Sequence, residues 1–137
     1  MADYNLFISH AWSYGDAYEN FVNLIDKKQQ FSYRNYSIPK DDPVHTNGTN
    51  KELYEAIKNK IQLTHVVVIM AGVYSSYSKW INKEIQIAQS EFSVPTPILA
   101  VEPWGSERTS TVVKDAADKI VGWNTDSIVS GIRELKK

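Results

Sequence analysis

The run Val66-Val67-Val68-Ile69-Met70-Ala71, followed two residues later by Tyr74-Ser75-Ser76-Tyr77-Ser78-Lys79-Trp80-Ile81-Asn82-Lys83-Glu84-Ile85, decides how this chain is read. An apolar run of that length, with no polar alternation, predicts a strand covered by helices on both faces. It empties into a loop rich in aromatic and hydroxyl groups. A helix then begins, with Ser78 as its N-cap. Ile81, Ile85 and Ala88 form its core-facing stripe, and Trp80 and Glu84 lie four residues apart on one flank, toward the loop after the first strand.

Working outward, strand and helix patterns alternate along the whole chain, the mark of a parallel α/β protein. Tyr4 to Ser9 reads as the first strand and Asp16 to Lys28 as the first helix, with Tyr18, Phe21, Val22 and Ile25 at helical spacing and Asp16 as N-cap. Tyr33 to Ser37 is a short edge strand. A long loop, Ile38 to Asn50, follows; loops of that length are commonly functional. Thr49 or Asn50 caps a helix to Gln62 with the stripe Leu53, Ile57 and Ile61. Thr64 to Met70 is the central strand, and the helix from Ser78 ends near Glu91. Pro97 to Val101 is the fourth strand and Asp115 to Ala117 a short helical turn. Lys119 to Trp123 is the fifth strand. Thr125 or Asp126 caps a last helix to Leu135, with Ile128, Ile132 and Leu135 inward.

These elements predict a single domain over residues 1–137. Its expected fold is a flavodoxin-like, doubly wound, five-stranded parallel sheet of order 2-1-3-4-5 with helices on both faces. Ligands of such sheets bind beyond the carboxyl ends of the strands, near the switch between strands one and three. The expected site therefore draws on Ser9 to Gly15, Ile38 to Asn50, Gly72 to Lys79 and Glu102 to Thr111.

Composition narrows the chemistry. The formal net charge is −1 and no long Lys/Arg run occurs, so neither nucleic acid nor an anionic membrane is an expected partner. With no cysteine, disulfides, thiolate metal sites and cysteine nucleophiles are excluded. The three histidines are not clustered, so no metal site is expected. No signal-peptide pattern is visible, and the longest apolar run is too short to span a bilayer; a cytoplasmic location is the expectation. Eight Tyr and four Trp are many for 137 residues. Trp12, Tyr14, Tyr74, Tyr77 and Trp104 fall in predicted loops, where they either stack on a ligand ring or cap the core.

Three chemistries of this fold can be tested by residue type. Phosphorelay needs carboxylates after strands one and three, but those strands end Ile8-Ser9-His10 and Met70-Ala71-Gly72. A flavin phosphate loop fits poorly with His10-Ala11-Trp12-Ser13-Tyr14-Gly15, whose aromatics crowd the backbone N–H groups. No GxGxxG or GxxxxGK[ST] occurs. The third is N-glycosidic cleavage, in which a carboxylate stabilises or captures a ribosyl cation. Glu84 is the candidate carboxylate and Trp80 an aromatic wall. The alternative for Glu84 is a solvated helix charge paired with Lys79 or Lys83. His10 reads equally as a substrate contact or proton carrier and as a loop-ordering group. His45 and His65 read as structural. Asp41-Asp42 could hold a cation or ribose hydroxyls, or serve as turn chemistry beside Pro43.

At these residues the chain resembles the Toll/interleukin-1 receptor (TIR) superfamily. Within it, the chain is most similar to the prokaryotic TIR-like family that includes the signal-generating subunit of Thoeris anti-phage defence. Phe7-Ile8-Ser9-His10-Ala11 matches the first-strand box, Ser37-Ile38-Pro39 with Asp41-Asp42-Pro43 the loop after strand two, and Ser78-Lys79-Trp80 with Glu84-Ile85 and Ala88 the third-helix motif. Leu53 to Ile61, Val66 to Ala71 and Pro97 to Val101 match the second helix and the third and fourth strands.

The resemblance implies an enzyme that cleaves NAD as substrate, with no resident cofactor, releasing nicotinamide and forming ADP-ribose or a cyclic isomer. Glu84 would be catalytic. Ser9, His10 and Ala11 would line the ribose or nicotinamide pocket, Trp80 would wall it, and the Asp42 region would be a lid. The partner implied is a separate effector protein reached through a diffusible nucleotide; a homo-oligomer is left open. Two other readings stand beside this one: a noncatalytic TIR-like interaction module, and an enzyme similar to nucleoside deoxyribosyltransferases.

Overall fold

The computed structural model of the chain describes residues 4–9, 17–29, 31–36, 50–70, 79–102 and 111–136. Five strands form one parallel sheet: β1 (Tyr4–Ile8), β2 (Tyr33–Asn35), β3 (Val66–Met70), β4 (Ile98–Val101) and β5 (Lys119–Val121). Their order is β2-β1-β3-β4-β5, and every pairing is parallel. The flavodoxin-like expectation is met. Among the described residues the helices are α1 (Ala17–Asp26), α2 (Asn50–Gln62), α3 (Lys79–Ser90), α4 (Thr111–Ala116) and α5 (Thr125–Leu135).

Side-chain parity along the strands builds two apolar layers. Leu6 and Ile8 of β1, Val66 and Val68 of β3, and Leu99 and Val101 of β4 join Phe21 and Ile25 of α1 and Ile128 and Ile132 of α5 on one face. Phe7, Val67, Ile69, Ile98 and Ala100 point the other way, onto Leu53, Ile57 and Ile61 of α2 and Ile81, Ile85, Ile87 and Ala88 of α3. The all-apolar β3 is thus explained: it is buried from both sides.

Local contacts fix the frame. Thr64 does not extend β3; its Oγ1 donates to the Ile61 carbonyl at 2.8 Å and closes α2. His65 Nδ1 accepts from the Asn5 backbone N–H at 2.9 Å, and the His65 N–H donates to the Asn5 carbonyl at 2.7 Å. The histidine thereby clips the start of β1 to β3, a structural role as expected. The strands are a residue or two shorter than read, β4 beginning at Ile98 and β5 ending at Val121, and two helix starts differ as well. The helical turn expected at Asp115 to Ala117 is a helix beginning at Thr111, drawn in because Val113 is buried in the core. The last helix is capped by Asn124, one residue before the expected Thr125 or Asp126; its side chain accepts from the Ser127 N–H at 2.8 Å. Thr125 Oγ1 instead donates to the Leu24 carbonyl, tying α5 to α1.

Candidate active site

Ser9 leaves β1 at the carboxyl edge of the sheet, beside the switch between β1 and β3. Its N–H donates to the Val68 carbonyl at 2.9 Å, so the parallel ladder continues one residue past the strand. Strand parity then aims its side chain to the face of Phe7, where α2 and α3 pack.

Glu84 comes to meet it from α3. The residue stands three positions after Ile81 and four before Ala88, both buried in the core, so the helix carries it inward rather than to solvent. It is only 4% exposed, and Ser9 is fully buried. Ser9 Oγ donates to Glu84 Oε1 at 2.7 Å, across 75 residues of chain. The flank to which Glu84 is displaced is the one toward the end of the first strand, as the spacing implied, and it is buried there against Ser9. The alternative of a solvated charge paired with Lys79 or Lys83 is set aside, because the carboxyl is buried and bonds Ser9.

The environment sets the charge. Burial, the larger effect, pushes the Glu84 carboxyl up to about 8, against a smaller downward pull from the Ser9 hydroxyl. At neutral pH the resting group is mostly the neutral acid. A carboxyl held neutral at a sheet's ligand edge is an arrangement found where acid–base or charge-stabilising chemistry is done.

Of the other predicted site residues, His10, Ala11 and Asp42 lie outside the described residues, as do Trp12, Tyr14, Asp41, His45, Tyr74, Tyr77 and Trp104. Trp80 is helical in α3, but its side chain lies outside the description. Among the described residues no group of three or more His, Asp or Glu side chains could hold a metal ion, and no helix is long and apolar enough to cross a membrane.

The family of the Thoeris protein ThsB, TIR-like domain, matches this chain over residues 7–108. The chain belongs to the ThsB TIR-like family. The matched span runs from within β1 to a point beyond β4 and contains both Ser9 and Glu84. It stops short of α4, β5 and α5, so the family signature takes in four of the five strands, the switch-point pair β1 and β3 among them. None of the curated proteins matches the sequence.

The sequence brings Glu84 toward the end of the first strand by helix spacing and gives Ser9 and Glu84 their roles, pocket lining and catalyst, through the resemblance. Their direct bond could have been anticipated: Ser9 shares the parity of Phe7, and Glu84 falls at Ile81+3 beside the apolar stripe.

Proposed function

We propose that this chain is a ThsB-type TIR-like enzyme that cleaves the nicotinamide–ribose bond of NAD to make an ADP-ribose-type signal, linear or cyclic, in anti-phage defence. The observation that supports this most is the buried Glu84 carboxyl, bonded to Ser9 at the carboxyl edge of the switch-point strands. A protein-docking surface has no use for a carboxyl so fully withdrawn from solvent. Burying an ionisable carboxyl costs stability at neutral pH, and functional sites are where proteins bear that cost.

In this reading the bond between the ribose C1′ and the nicotinamide nitrogen breaks, and its electron pair leaves with the neutral nicotinamide. The ribosyl cation left behind is stabilised by Glu84 as the carboxylate. Ser9 holds Oε1 and fixes the carboxyl plane. Water, or a nucleophilic atom of the same nucleotide, then adds to C1′, and its proton passes to Glu84. Trp80, His10, Ala11 and Asp42 are proposed to border the substrate. The nucleotide product reaches a separate effector protein by diffusion.

The test is incubation of the purified protein with NAD, alone and with lysate from phage-infected cells as trigger, with products separated by chromatography. Free nicotinamide is expected in at least one condition. Its absence from both would overturn the proposal. A parallel incubation with a deoxynucleoside and a free base distinguishes the transferase: base exchange there, without nicotinamide release from NAD, would replace it.

A further inference from the structure

One side of helix α3 is tied to its neighbours by directional bonds at two levels. At the upper level Glu84 meets Ser9, at the end of β1. Glu91 follows seven residues later, two turns down the helix. Its N–H still donates to the Ile87 carbonyl, so the helical ladder reaches it and keeps it on the side of Glu84.

At this lower level α2 grips the carboxylate. The Tyr54 hydroxyl donates to Glu91 Oε1 at 2.5 Å, and Lys58 Nζ pairs with Glu91 Oε2 at 3.2 Å. Tyr54 and Lys58 stand four residues apart on α2, each one position past a core residue, Leu53 and Ile57. Helix spacing thus brings both donors to one carboxylate, and each oxygen has its own. The tyrosine bond first, and the lysine second, hold the Glu91 carboxyl below its ordinary value; the same tyrosine bond is the main cause of a raised Tyr54 phenol. At neutral pH Glu91 is therefore the anion and Tyr54 the donor, and the bond between them is charge-assisted.

Between the two levels the packing is apolar. Ile81, Ile85, Ile87 and Ala88 share one cluster with Phe7, Val67, Ile69, Ile98 and Ala100 of the sheet. Such contact holds α3 on the sheet but is non-directional. An O–H···O bond works only over about 2.5–3.0 Å, so a slip of about 1 Å along the helix axis is enough to part Ser9 from Glu84. On the opposite flank Gln89 donates to the Ala116 carbonyl of α4, a longer and exposed bond of 3.2 Å.

We propose that the Tyr54–Glu91–Lys58 clasp is a positioning device for the candidate catalytic carboxyl: by seating the end of α3 on α2, it sets the depth at which Glu84 meets Ser9. Tyr54 and Glu91 are positioning residues, two turns below Glu84. The effect on catalysis rests on the reading of Glu84 as the carboxylate that faces NAD. The effect on the Ser9–Glu84 bond does not.

The experiment has two readouts on the full chain. The first is the NMR signal of the Glu84 carboxyl carbon in isotopically labelled protein, assigned by its absence from Glu84→Gln. Its shift and titration midpoint report the Ser9 bond, and Ser9→Ala marks where they lie when that bond is lost. Tyr54→Phe removes one hydroxyl and keeps the ring; it should move the Glu84 signal toward the Ser9→Ala position. Glu91→Gln should move it the same way by less. The second readout is nicotinamide release. In Tyr54→Phe kcat should fall roughly tenfold with KM held within about twofold. The Ser9→Ala/Tyr54→Phe double variant should be no slower than the slower single one, because both act through one bond. Gly131→Val, packed against Leu99 and Val121 on the other face of the sheet, controls for stability. It should lower the unfolding midpoint and leave the Glu84 signal and the kcat of the folded protein at their wild-type values.

A Glu84 signal unmoved in both clasp variants would overturn the positioning role, as would kcat losses that multiply with Ser9→Ala. Absence of nicotinamide release from wild type would overturn the proposed activity instead, and the Glu84 signal alone would then decide the clasp.

Discussion

Replacing Glu84 by Gln should make the protein more stable while removing its chemistry. An unfolded Glu ionises near 4.5, whereas burial in the fold raises the group to about 8. The sign follows: between these values the unfolded chain gives up a proton that the folded chain keeps. Unfolding is therefore favoured progressively as pH rises through that window, and the burial is free of this cost below it. At about pH 7 the interval of roughly 2.5 units, at 1.36 kcal/mol each, is worth about 3 kcal/mol. Glutamine has nearly the same shape, and its carbonyl can still accept from Ser9. Its amide carries one more N–H than the protonated acid, and leaving that donor unmatched costs about 1 kcal/mol. A net gain of about 2 kcal/mol remains, or roughly 5–8 °C in midpoint for a domain of this size. The assay is denaturant or thermal unfolding of both proteins across pH. The gap should be small near pH 4.5 and widen steadily to about pH 8. If Glu84→Gln is no more stable than wild type at neutral pH, or the gap does not change with pH, Glu84 is not the buried, neutral acid described here.

Three further outcomes follow from the fold. His65 is held below its ordinary value of 6.5 by burial first and by Lys136 second, so its NMR titration midpoint should lie below that value. The stability linked to it should be complete above about pH 6.5 and drain away as pH falls through the lowered midpoint; a midpoint at or above 6.5 would remove it. At Gly131 a β-carbon would stand 2.9 Å from Leu99 Cδ1 and 3.3 Å from Val121 Cγ1. Gly131→Val should therefore lose about 1–3 kcal/mol on denaturant unfolding, and an unchanged midpoint would contradict the close packing of α5 on β4 and β5. Ile57→Ala, which empties a fully enclosed position between α2 and the sheet, should cost about 2–5 kcal/mol in the same assay.

Much of this architecture was legible because period and parity leave a strong trace. The unbroken Val66–Met70 run could only be a strand covered on both faces, and the Leu53-Ile57-Ile61 stripe could only face the core. End points were harder where several residues could do the same task. Asn124, Thr125 and Asp126 are all competent caps, and the choice turned on Thr125 being drawn away to the Leu24 carbonyl. Helix α4 began earlier than read because burial of Val113, a tertiary effect, stabilised a turn whose own sequence signal was weak.

The site was half legible. Topology put Ser9 at the ligand edge, and the resemblance gave Glu84 a role. Periodicity put Glu84 on a flank beside the apolar stripe, close enough to be carried inward, but a carboxylate is so rarely buried that residue type argued for solvent. That conflict between pattern and residue type is itself the signal of a functional site. His10, Ala11 and Asp42 belong to stretches rich in aromatic and turn residues, where helical or strand periodicity gives no guide to placement.

The central claim is that Glu84 works on NAD. Its most direct test is nicotinamide release under the condition in which the wild-type protein is active, compared with Glu84→Gln at matched, verified folding. A loss of at least about a hundredfold is predicted, on the scale of removing a charge-stabilising group aimed at the reacting centre. Release from a folded Glu84→Gln protein at the wild-type rate would contradict the account.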